Sequence, residues 1–347
     1  MTLLPMLANA QDFDGEGTKE SPYQIKTPDN LKRLASIVNS GNSYSGSYFC
    51  LINNIDMTNI AFVPIGNQEH PFSGKFDGSG FAIKGIFVEN ASEAGLFGCT
   101  DGANINDIGI EDVNLRGASY IGGIVGFSKN SVITNSYSRG KTSGNDCVGA
   151  LVGYSGNGTI IQNCFSSIQH TKAEIYGSVG GLVGYNCGTL VNSYFYGTIN
   201  ATSFMAWTTG GIAGYNDSTG KIINCYFIKA SILNSNFNYC GSLNWGYSTG
   251  LSTFDGSGIT SSGTYLHELL NSWVTENSNL GQYREWTKDA FPSFSNYSVP
   301  SGITSQTIIN PQKVIGIYDL KGNKINALKK GINIIKYQNG KSKKIMN

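Results

Sequence analysis

The sequence predicts an all-β chain whose central part is a parallel β-helix, and two repeated patterns carry that reading. The first is a glycine motif. Gly180–Tyr185 reads G-G-L-V-G-Y, Gly122–Phe127 G-G-I-V-G-F, Gly149–Tyr154 G-A-L-V-G-Y and Gly210–Tyr215 G-G-I-A-G-Y, with degenerate copies at Gly95–Gly98 and Gly241–Tyr247. The fifth-position glycines Gly126, Gly153, Gly184 and Gly214 follow one another by 27, 31 and 30 residues. A repeat of that length marks a solenoid, in which each unit buries its apolar face only against its neighbours.

The second pattern follows each glycine motif: Ile133–Tyr137 (I-T-N-S-Y), Ile161–Phe165 (I-Q-N-C-F), Leu190–Tyr194 (L-V-N-S-Y) and Ile222–Tyr226 (I-I-N-C-Y). Read by twos, an aliphatic residue, an Asn and an aromatic share one face in every copy, while the other face varies. That predicts a strand with the constant face inward. A lone inward amide is costly. Asn135, Asn163, Asn192 and Asn224 are therefore expected to hydrogen-bond from rung to rung, as amides do in stacked parallel strands. Asp107 is expected in the same slot one rung earlier.

These units resemble the GLUG motif, named for its G-L-x-G core and found in secreted and surface proteins of bacteria, including adhesins and immunoglobulin-A peptidases. The resemblance covers about residues 12–294 and implies a right-handed β-helix. It implies no activity, because the motif is a scaffold in proteins of differing function.

At the amino terminus, Thr2–Gln11 (T-L-L-P-M-L-A-N-A-Q) reads as the remnant of a secretory signal peptide, with cleavage after Ala10 in Ala8-Asn9-Ala10. Asp12–Tyr23 has only a superficial likeness to a calcium loop, because Tyr23 stands where a bidentate Glu is needed. Thr27-Pro28 begins an amphipathic helix with Leu31, Leu34, Ala35 and Val38 as its stripe and Gly41 as its stop. A helix there is expected to cover the open end of the solenoid. Phe72–Gly85 predicts two strands about a D-G turn. Residues 11–94 are thus read as an amino-terminal cap with first strands, and residues 95–263 as the repeat solenoid.

Beyond the rungs, Tyr265, Leu266, Leu269, Leu270 and Trp273 recur at helical spacing, with Trp286, Phe291 and Phe294 after them. Residues 264–294 are read as a second end cap and 295–312 as a linker. The tail from Lys313 to Asn347 holds nine Lys and one acid, Asp319, for +8; 15 basic and 22 acidic residues remain elsewhere, for −7. That asymmetry predicts a separate β-module. It resembles the short sorting domain of type IX secretion, through Tyr318, Asp319 and Gly322 (I-Y-D-L-K-G), Gly331 (L-K-K-G-I-N-I-I), and Gly340 and Lys341 (N-G-K-S-K-K-I). The resemblance implies passage across the outer membrane and recognition of the tail by secretion machinery.

A net charge of +1 argues against nucleic acid as partner, and no stretch is long enough to span a bilayer. Cys164 and Cys225 share a slot two rungs apart, about 9.6 Å, too far for a disulfide. No C-x-x-C occurs, and His70, His170 and His267 lack ligand-spaced partners, so no metal or cofactor is expected. Glycosidase chemistry needs two carboxylates about 5–10 Å apart. The acids Asp101, Asp107, Glu111, Asp112, Asp146, Glu174 and Asp217 do not converge in the rung pattern. The remaining candidate is the aromatic that closes each glycine motif: Phe127, Tyr154, Tyr185, Tyr215 and Tyr247. These pack within the strand stack, or form a partly exposed strip for sugar rings or a protein partner. The expectation is a monomeric, non-catalytic, adhesin-like protein, secreted or at the cell surface. The alternatives are a polysaccharide-degrading β-helix enzyme and a structural spacer.

Overall fold

The structure, a computed structural model, describes residues 12–173, 177–200, 208–228, 240–243, 247–294, 314–319, 324–325, 332–337 and 342–346. The proposed cleavage site at Ala10, the linker and the tail residues Gly322, Gly331, Gly340 and Lys341 lie outside these residues.

Parallel strands stack into three sheets of a β-solenoid. Sheet A runs from Tyr23–Ile25 through Tyr48–Leu51, Lys75–Asp77, Asn104–Asn106, Val132–Thr134, Ile160–Gln162, Thr189–Val191 and Lys221–Ile223 to Tyr247–Thr249. Its central residues Phe49, Phe76, Ile105, Ile133, Ile161, Leu190 and Ile222 stand in register and are buried, so one apolar row threads the coil. Each turn then crosses to sheet B, as in Phe165–Ala173 and Ser178–Gly180, and to sheet C, as in Val183–Asn186.

The glycine motif is the corner between sheets B and C, where successive turns touch backbone to backbone. A Cβ on Gly181 would lie 2.0 Å from the Gly211 carbonyl oxygen. On Gly184 it would lie 2.6 Å from Gly153 O and 2.6 Å from Val148 N. Only hydrogen fits between those backbones, which is why the motif recurs at the period of the coil.

Stacking begins before residue 95. Tyr23↔Phe49 and Phe49↔Phe76 are parallel pairs, so the amino-terminal segment already contributes rungs. The two strands expected about a D-G turn do not pair with each other. Lys75–Asp77 belongs to sheet A and Ala82–Lys84 to sheet B, because the turn is a corner of the coil rather than a hairpin. Helix α1 (Pro28–Asn39) buries Leu31, Leu34, Ala35 and Val38 in the core that holds Ile25 and Phe49, at the Tyr23–Ile25 edge of sheet A. Thr27 and Asn30 form its capping box. Asp12 pairs with Arg33 at 2.6 Å and Asp14 with Lys26.

The asparagine segment corrects the alternation read from the sequence. Asn135, Asn163, Asn192 and Asn224 have φ of 49°, 54°, 47° and 51°, and Asp107 has 53°. A left-handed residue breaks the period of two, so the side chains beyond it change sides. Ile161 and Cys164 therefore both face the core, while Phe165 faces out of the coil. Cys164 and Cys225 are free thiols in that core. The amides still form one file: Asn163 Nδ2 donates to Asn135 Oδ1 at 2.8 Å, Asn192 to Asn163 at 2.8 Å, and Asn224 to Asn192 at 2.7 Å. This file lies at the outer corner between sheets A and B. Asn is favoured there doubly, because it tolerates the left-handed backbone and its amide reaches the next rung.

Residues 264–294 do not cap the end of the coil. They form a strap along its side, over the asparagine file and the outward aromatics. Helix α2 (Leu266–Glu276) buries Leu266, Leu270 and Val274 in a cluster with Tyr137, Phe165, Tyr194, Tyr226, Trp286 and Phe294. Asn135 Nδ2 donates to Gln282 O at 2.8 Å, Asn163 Nδ2 to Arg284 O at 3.0 Å and Asn192 Nδ2 to Leu270 O at 3.2 Å. Arg284 pairs with Asp107. The tail forms a four-stranded antiparallel sheet of Val314–Asp319, Lys324–Ile325, Ile332–Tyr337 and Ser342–Met346. Tyr318 and Asp319 end its first strand.

Candidate functional site

Sheet C carries the aromatic strip. Phe127, Tyr154, Tyr185 and Tyr215 occupy one register position on successive rungs. Their rings stack with centroids 4.9, 5.1 and 4.7 Å apart and interplanar angles of 5°, 14° and 22°. The centroid spacing follows the strand spacing of about 4.8 Å, so the backbone ladder itself sets the stack. All four rings are half-buried, leaving part of each accessible.

The strip has supports that the repeat did not reveal. Tyr120 packs edge-on against Phe127 at 5.2 Å and Tyr154 at 5.7 Å. It sits outside the glycine motif, and nothing in the repeat marks it. Tyr154 Oη lies 3.5 Å from Cys187 Sγ, which in turn lies 3.5 Å from Asp217 Oδ2. Burial raises the Tyr185 phenol to about 12 and moves Tyr154, Tyr120 and Cys187 upward as well. These three phenols and the thiol are uncharged at ordinary pH, beside the Asp217 carboxylate.

Tyr247 does not belong to it. Tyr215 pairs with Ser242 on the next rung, whereas Tyr247 pairs with Lys221 in sheet A and is exposed. In the degenerate copy the sheet-C strand is Cys240–Leu243, ahead of the glycine-tyrosine pair that resembles the motif.

Three of the acids weighed for catalysis are each held by a separate partner. Glu111 accepts from Tyr137 Oη at 2.6 Å and lies 3.7 Å from Arg139. Asp101 accepts from Asn130 at 2.8 Å, and Asp146 accepts from Cys147 at 3.6 Å. Glu174 lies outside the described residues. Among the described residues, no group of three His, Cys, Asp or Glu side chains is placed to hold a metal ion. Also among them, no helix is long and apolar enough to cross a membrane.

No protein-family model matches the chain. Over 159 residues, 41% of the chain, it is 33% identical to halomucin of Haloquadratum walsbyi. Over 92 residues, 24% of the chain, it is 34% identical to a putative Gly-rich membrane protein of Evansella cellulosilytica. The matched regions span only 2% and 10% of the lengths of those proteins.

Proposed function

We propose that the chain is a secreted or cell-surface, adhesin-like binding protein without catalytic activity, and that the strip Phe127–Tyr154–Tyr185–Tyr215 holds its partner. The observation that carries this reading is the stack itself: four half-exposed rings at 4.7–5.1 Å on a rigid sheet. A flat apolar ring with a polar tip suits the C–H face and hydroxyls of a sugar, or an apolar protein patch. Each contact is weak, and the rungs add them.

The likeness to a protein described as a membrane protein supports a place at the surface. The resemblance of the repeats to the GLUG motif supports export, with Thr2–Gln11 as a secretory leader segment and the basic tail as its type IX sorting signal. Asn339–Ile345 would then be read by the secretion machinery before the tail is lost.

The test of binding is a polysaccharide pull-down with the purified full chain, repeated with Tyr154→Ala, Tyr185→Ala and Tyr215→Ala combined. Retention by the parent chain, without product release, and loss in the triple variant are expected. Equal retention by both removes the strip. Release of cut saccharide replaces the reading with an enzymatic one.

A further inference from the structure

A cleft of about 560 Å³ lies on the outer face of sheet A, where residues 280–283 of the strap form its far wall. Such a volume is within the roughly 300–1,000 Å³ of ligand sites. It is on a different sheet from the aromatic strip. Its floor crosses the adjacent strands that carry Tyr48, Lys75, Asn104, Val132 and, at Gln162, the fifth. Four strand spacings make it about 19 Å long, which suits a chain of small units better than a single ring.

We propose that this cleft is a second binding site and that its occupant is an oligosaccharide. The proposal deepens the glycan branch of the function above and rests on that reading for the class of ligand only.

The lining supplies both halves of sugar recognition. Tyr48 stands at one end and Tyr283 at the other, where its hydroxyl donates to Gln162 Oε1 at 3.3 Å. Between them are an ammonium, an amide and a carboxylate. Lys75 Nζ donates to Tyr48 Oη at 2.7 Å and lies 4.4 Å from that ring's centroid. Asn104 is exposed toward the opening. Asp77 accepts the Ser79 N–H through Oδ1 at 2.7 Å, and among the described residues Oδ2 has no hydrogen-bond donor.

A row that alternates donor and acceptor suits hydroxyls, which do both. Other classes fit less well. A polyanion would meet Asp77, and an apolar ligand would strand Lys75 and Asp77 without water. A peptide seeking a strand edge finds a sheet face whose backbone is already paired. Burial keeps the Asp77 carboxyl at about 6. A hydroxyl donated to Oδ2 would offset that burial.

The test is titration calorimetry of the full chain with tetrasaccharides of glucose, of N-acetylglucosamine and of mannose. Asn104→Trp fills the cleft from an exposed position, and Asp77→Asn changes the acceptor without changing the shape. Thermal unfolding of both variants checks the fold. We expect at least one probe to bind, Asn104→Trp to weaken it by about tenfold or more, and the triple tyrosine variant of the strip to bind it as the parent does. Parent-like binding by Asn104→Trp overturns the proposal. Loss in the strip variant alone overturns it and leaves the strip reading standing. If no probe binds, the cleft proposal fails, and the strip is judged separately by the polysaccharide pull-down.

Discussion

Trp286 donates its indole Nε1–H to Oδ1 of Asn163 at 2.8 Å, and the same oxygen accepts Nδ2 of Asn192 at 2.8 Å. The strap thus bonds into the amide file rather than merely covering it. Trp286 also lies 5.9 Å from Phe165, 5.5 Å from Tyr194 and 4.6 Å from Phe294, so one side chain joins the polar and apolar parts of the contact.

Replacing that indole separates the two parts. Trp286→Phe keeps a ring and loses the donor, and should cost about 1 kcal/mol in denaturant unfolding. Trp286→Ala should cost about 3–5 kcal/mol, as large-to-small changes in a packed core do. Hydrogen exchange across 266–276 should quicken in the alanine variant, while the sheet-A amides stay protected. Uniform quickening would mean that strap and coil open as one unit.

The file itself can be taken apart at Asn192. Asn192→Gly keeps the left-handed backbone accessible and removes the amide bonds to Asn163 and from Asn224. Asn192→Leu removes the same bonds and adds the left-handed penalty of about 1–2 kcal/mol. Both should destabilise, by a few kcal/mol, with Leu the worse. Equal midpoints for the two would show that the backbone conformation does not matter at this corner.

His170 predicts an acid-sensitive core. It is buried, with Thr142 Oγ1 at 2.7 Å from Nδ1 and Phe195 stacked at 5.8 Å, and burial holds its imidazole down at about 4 from 6.5. Between those values the unfolded chain binds more protons than the folded one. Stability therefore rises with pH through that window and is lost as pH falls from 6.5 toward 4, by up to about 3 kcal/mol. Asp77 works in the opposite sense, because its carboxyl is raised from 3.8 to about 6 and favours the folded chain at the acid side. His170→Gln removes the first slope and leaves the second. Relative to the parent, the variant should gain stability steadily from pH 6.5 down to pH 4. A constant difference across that range would contradict the assignment.

The coil was legible because its cause is local. Gly180, Gly181 and Gly184 repeat where backbones touch, and the Leu31–Leu34–Ala35–Val38 stripe of α1 is the set of residues it buries. Two features were not legible, for physical reasons. Alternation assumes extended backbone throughout, and the left-handed Asn163 reverses it, so Phe165 points to the outside of the coil rather than into it. The spacing of Leu266 and Leu270 shows that α2 has a buried side but not what it lies on, and that partner is a flank of the solenoid rather than its end. In the site, the register of Phe127, Tyr154, Tyr185 and Tyr215 followed from the repeat, while Tyr247 failed where the copy degenerates.

The central claim is that binding is summed along stacked rungs, and a graded series tests it most directly. The full chain and its Tyr185→Ala, Tyr154→Ala/Tyr185→Ala and Tyr154→Ala/Tyr185→Ala/Tyr215→Ala variants would be measured for affinity toward one immobilised polysaccharide retained by the parent. If the strip works as a unit, affinity falls at every step, by roughly 1 kcal/mol per ring removed. A loss complete at the first substitution, or no loss through the third, would contradict it.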